Sequence, residues 1–120
     1  MQIGRLKCDP GHVIGRHTHL NWFELTCVTD GEGEIYGGET KVDVKKGDIF
    51  LSFPCEVHKI ISSVEFPLTF DHFALSVNDA EYNERLERLM AGYANPKKRV
   101  FTNYLIKEML DGSINEILGK

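Results

Sequence analysis

The feature that most constrains the fold is a change of hydrophobic period at Asn78. Before it, short β-branched and aromatic stretches are broken by Gly, Asp and Pro, the pattern of an all-β sandwich or barrel. The expected strands are Gly11 to His17, Phe23 to Thr29, Gly33 to Tyr36, Thr40 to Val44, Ile49 to Phe53, Val57 to Val64 and Leu68 to Val77. Asp30-Gly31 and Gly37-Gly38 tolerate positive φ and predict hairpins. After Asn78, Tyr82, Leu86, Leu89, Met90 and Tyr93 recur at helical spacing, which predicts an amphipathic helix from Asp79 to Gly92. Asn78 and Glu81 are placed as its capping box, and Gly92 with Asn95-Pro96 ends it. The stripe Phe101, Leu105, Met109 predicts a second helix from Arg99 to Leu110. Ser113 and Glu116 open a third at Ile114 that is cut off at Lys120, so the chain is expected to be a piece of a longer protein. The expected division is a β-barrel over 1–78 and a helical segment over 79–120 packed on it, a single domain overall.

Composition narrows the partners. The 120 residues carry a formal net charge of -4, and 42% are hydrophobic, enough for one globular domain with its own core. An acidic chain lacks the clustered Lys and Arg that neutralise phosphates, so DNA contact is expected only through a domain absent from it. No apolar run approaches a membrane span, and the N-terminal residues lack the apolar core of a signal peptide. Cys8, Cys27 and Cys55 are odd in number and form no CxxC pair, which predicts free thiols in a cytoplasmic setting.

The chemistry concentrates on four residues. His17 and His19 stand two apart, on one face of an extended strand. Glu24 opens the next strand, where pairing can bring its carboxylate to the two imidazoles. Gly47-Asp48 leads into Ile49 to Phe53, Pro54 turns the chain, and His58 returns a third imidazole. Three imidazoles and one carboxylate suit a divalent transition metal: iron, manganese, nickel, zinc or copper. The same groups serve equally as ordinary hydrogen-bonding lining for an organic ligand.

The spacing Gly11-x5-His17-x-His19-x4-Glu24-x6-Gly31 resembles the first motif of the cupin superfamily, and Gly47 to His58 resembles the second. Pro54 falls one residue late, Cys55 occupies a common glycine site, and Ser62 stands where the motif has Asn. Within the cupins, residues 17–33 and 46–58, with Asn95 to Phe101, are similar to the N-terminal sensory domain of AraC-family transcription regulators. That resemblance implies a small jelly-roll barrel binding a small-molecule effector such as a sugar. It also implies C-terminal helices that form a homodimer, and DNA-reading units beyond this chain. The rival reading is a stand-alone metal-dependent cupin enzyme, an isomerase or dioxygenase, on the same residues; a metal-free sugar-binding module is a third.

Around the motif, Trp22 is a candidate to stack on a ligand at the barrel mouth, His72 a candidate for the cavity, and Tyr36 and Phe53 candidates for its wall. His12 reads as a surface residue, and Lys97-Lys98-Arg99 as a solvated basic run.

Overall fold

The computed structural model describes residues 2–17, 22–76, 87–88 and 90–102. Its strands are β1 (Gln2–Lys7), β2 (Val13–His17), β3 (Trp22–Asp30), β4 (Glu32–Gly37), β5 (Thr40–Lys45), β6 (Ile49–Ser52), β7 (His58–Ser62), β8 (Thr69–Ser76) and β9 (Val100–Phe101), with a 3-10 turn at Pro96–Arg99. They form two antiparallel sheets, ordered β1-β8-β3-β6-β9 and β2-β7-β4-β5, a mainly β architecture.

Alternation decides which side chains enter the space between the sheets. In β5, Val42 and Val44 are buried between exposed Lys41, Asp43 and Lys45, and each full valine burial is worth about 1.5–3 kcal/mol. In β7, His58, Ile60 and Ser62 point inward while Lys59 and Ile61 point out. The core gathers Val28, Ile35, Val42, Val44, Phe50, Ile60, Leu68, Phe70 and the thiol-bearing Cys8.

Three expectations are corrected. Gly37-Gly38 does close a hairpin, β4 with β5, but Asp30-Gly31 carries the chain from one sheet to the other, because β3 pairs with β6 and β8 while β4 pairs with β5 and β7. Gly31 has φ +74, and a Cβ there would meet the Pro67 carbonyl oxygen at 2.0 Å, so only glycine fits this corner. Strand β1 had no counterpart in the hydrophobic pattern. It is an edge strand whose Ile3 and Leu6 remain exposed, and it is tied to β8 by its ladder and by Arg5 Nε donating to Asp71 Oδ1 at 2.6 Å.

The third correction concerns Arg99. The predicted helix from Arg99 to Leu110 does not begin there: residues 96–99 form the 3-10 turn, capped by Asn95 Oδ1 accepting from the Lys97 amide, and Val100–Phe101 pairs with β6. The free ladder groups along β6 outcompete the helical stripe for a β-branched and an aromatic residue. Of the predicted helix from Asp79 to Gly92, residues 87–88 and 90–92 are helical; its remainder, and the expected helices over 103–120, lie outside the described residues. Among the described residues no helix is long and apolar enough to cross a membrane.

This C-terminal stretch closes a seam. Strand β5 is the edge of one sheet and β6 lies next to the edge of the other, and the 3-10 turn packs against both. Gly37 lets Pro96 in: a Cβ on Gly37 would lie 2.8 Å from Pro96 Cγ.

Candidate functional site

The barrel interior changes character along its strands. Register sets Val28 beside Phe70, then Thr26 beside Phe50 and His72, then Glu24 beside Ser52 and Ala74. On the facing sheet Ile35 and Ile14 flank Ile60, while His58 stands opposite Gly37 and the backbone of His17. One end is therefore apolar, and the other presents Glu24, Ser52 and His58.

At the polar end, His58 Nε2 lies 3.6 Å from Glu24 Oε2, with side-chain exposures of 4% and 14%. The other ring nitrogen is held by the backbone: Nδ1 lies 3.1 Å from the Glu56 carbonyl oxygen. A carbonyl can only accept, so Nδ1 carries the proton and neutral His58 turns its Nε2 lone pair toward Glu24. Burial presses the imidazole toward its neutral form. Hydrogen bonding with Glu24 and with the Glu56 carbonyl, and the charge of both carboxylates, outweigh it, so the His58 pKa lies above its ordinary value.

At 3.6 Å the contact between His58 and Glu24 is a long one, and it is short enough for both groups to meet one cation. The donor chemistry, a buried imidazole with a fixed tautomer beside a half-buried carboxylate, fits a transition metal. Among the described residues these two of the four expected donors converge, and no group of three does. The side chain of His17 and all of His19 lie outside the described residues.

The other candidates divide. Trp22 shares the face of Glu24 one pleat nearer the strand end and is half-buried. His72 shares the interior face with Phe70 and Ala74, its ring lying over Gly4, where a Cβ would sit 2.5 Å from Nε2. Tyr36 follows the inward Ile35, so alternation turns it outward, beneath Lys59 Nζ at 4.3 Å. Phe53 is buried just beyond β6 and packs edge-on against Phe23, with ring centroids 5.9 Å apart. His12 is exposed, and Cys8, Cys27 and Cys55 are not joined in disulfides. Of the basic run, Lys97 and Lys98 are exposed while Arg99 is fully buried.

Sequence reasoning missed Thr26 and Ser52, buried polar residues on the interior face, and the pair Glu56 and Arg99 behind His58. Ser52 left a signal: a small hydroxyl at the end of an otherwise apolar strand. Arg99 left none, because its buried partners come from distant parts of the chain.

Two antiparallel sheets enclosing an interior with an imidazole and a carboxylate at one end define a cupin. Residues 1–103 match the family described as AraC-like ligand binding domain, and the chain belongs to that family. It is 31% identical over 68 residues to an oxalate-binding protein of Thermotoga maritima, 57% of this chain and 56% of that protein. A crystal structure of a predicted oxalate decarboxylase of the same organism is similar at a TM-score of 0.59 and 28% identity, over 62% of this chain and 65% of that one. The cupin domain of Schizosaccharomyces pombe Cnp3 shares the fold, with a TM-score of 0.61 at 15% identity over 71% of this chain and 61% of that one. The chain thus spans less than two thirds of the length of each of these proteins.

Proposed function

We propose that the chain is the effector-binding domain of a transcription regulator, and that the effector is a small polar molecule held at the polar end of the barrel. The observation that carries this reading is the convergence of half-buried Glu24 and buried His58 at 3.6 Å in a member of a ligand-binding family. In it, Glu24 and His58, with His17 and His19, hold a divalent transition metal. The ion, when bound, supplies a Lewis-acidic positive charge. Ser52 and Thr26 offer hydroxyls to the ligand, and Trp22 a flat apolar face for a sugar ring. Homodimerisation through the C-terminal helices and DNA binding through a domain outside this chain complete the proposal.

The name of the Thermotoga maritima relative supports a second class of ligand, a small carboxylate. The Glu24 carboxylate repels such an anion unless a cation lies between them, so this ligand and the metal go together. A metal-dependent enzyme on the same residues is the alternative, and turnover decides it.

The test is a thermal-shift screen of monosaccharides and small dicarboxylates, with and without Mn²⁺. A ligand at 100 times its Kd stabilises by about 2.7 kcal/mol. The proposal expects a hit on the wild type that is lost in Glu24→Gln and His58→Ala. A hit retained by both variants, or consumption of the hit compound, overturns it.

A further inference from the structure

Behind the imidazole lies a structure that the site reading does not use. The Glu56 carbonyl holds His58 Nδ1, and the Glu56 carboxylate is gripped by Arg99, whose Nη1 and Nη2 donate to Oε1 and Oε2 at 2.7 and 2.5 Å. Arg99 Nη1 also donates to the Leu51 carbonyl at 3.0 Å. The guanidinium lies 4.2 Å above the Phe53 ring centroid. Its side chain is wholly buried, while that of Glu56 is 17% exposed.

The segment so gripped, residues 53–57, has no regular structure of its own. It contains Cys55 at φ +64, a left-handed conformation that a side-chain-bearing residue adopts only when its surroundings impose it. Arg99 supplies that imposition from the far side of the seam: one planar group fixes the end of β6 at Leu51, the ring of Phe53 and the carboxylate of Glu56. A bidentate guanidinium–carboxylate pair fixes direction as well as distance. With residue 56 held, its carbonyl is aimed at His58, and the imidazole is held in one tautomer.

We infer that Arg99 is a positioning residue: through its grip on Glu56 it sets the tautomer and orientation of the His58 imidazole, so the docking of segment 95–101 on the barrel seam and the donor geometry of the interior site are coupled. The inference adopts the proposed site at His58, but its readout needs no ligand. By linkage the coupling is reciprocal: whatever engages His58 Nε2 also tightens the docking of the segment.

The experiment is long-range ¹H–¹⁵N spectroscopy of the full 120-residue chain labelled at histidine nitrogens. At a pH above the raised His58 pKa, where the ring is neutral, wild type is expected to show His58 as the Nδ1–H tautomer alone. Arg99→Met is expected to show a mixture of tautomers, and Arg99→Lys, which restores the charge but not the fork, an intermediate spectrum. If Arg99→Met does not fold, Glu56→Ala takes its place, because it removes the carboxylate and keeps the carbonyl. Ile35→Val, a destabilising change in the apolar core, is expected to leave the His58 signals as in wild type. The inference falls if a folded Arg99→Met or Glu56→Ala protein keeps His58 wholly as Nδ1–H, or if Ile35→Val shifts the tautomer equally. Failure of the ligand screen with a responding tautomer would sink the function and leave this coupling standing.

Discussion

The two ends of the barrel interior are built from the same strands by the same alternation, yet they differ in what fills the inward positions. Around Ile35, Phe50, Leu68 and Phe70 the buried cluster is built of apolar side chains and nearly all its surface is excluded from water. One or two pleats away, β3, β6 and β7 place Glu24, Ser52 and His58 inward instead. The apolar end can hold the sheets together without help, so the polar end is free to carry groups that cost stability unless something engages them. Stability and binding are thus assigned to separate ends of one interior, and substitutions at the two ends should have different signatures.

The largest effect is expected at the apolar end. Ile35→Ala leaves a cavity between the sheets and should cost about 2–5 kcal/mol in urea unfolding, with the ligand response unchanged once temperature is matched. Next is His58→Ala, which should weaken Co²⁺ binding at least about 10-fold by titration while costing less stability than Ile35→Ala. Equal losses of stability from the two would erase the distinction between the ends.

A smaller effect is expected in the pH dependence. The folded His58 pKa is raised, so the stability it contributes is complete below the ordinary imidazole value of 6.5 and is lost as pH rises through the higher folded value. Glu24→Gln removes the partner that does most to raise it, and should flatten thermal stability against pH in that window. The smallest effect concerns the turn that carries His58. Cys55→Gly relieves a left-handed conformation at φ +64 and should gain up to about 1 kcal/mol, the relief being partly offset by a more flexible unfolded chain.

The apolar end was legible in the sequence because alternation is a local signal: Thr40 to Val44 writes its own burial pattern, and the observed strand Thr40–Lys45 follows it. The pairing of Glu24 with His58 was reachable only through motif spacing, since the two are brought together by β3 and β7 from different sheets. What alternation could not supply was sheet membership, so Asp30-Gly31 read as a hairpin when it is a corner. It also missed strands held by their neighbours' free edges: β1 on β8, and Val100–Phe101 on β6. Arg99 shows the limit most clearly, because a basic run reads as solvated unless the carboxylate and ring that bury it are already known to be near.

The most direct test of the account is the ¹H–¹⁵N correlation spectrum of the full chain titrated with Co²⁺, whose paramagnetism broadens nearby amides. Broadening centred on Glu24, Ser52, His58 and Ala74, sparing Val28, Leu68 and Phe70, and abolished in His58→Ala, is the predicted result. Broadening centred instead on the outward carboxylates of Glu32, Glu34 and Asp43, or unaffected by His58→Ala, would contradict it.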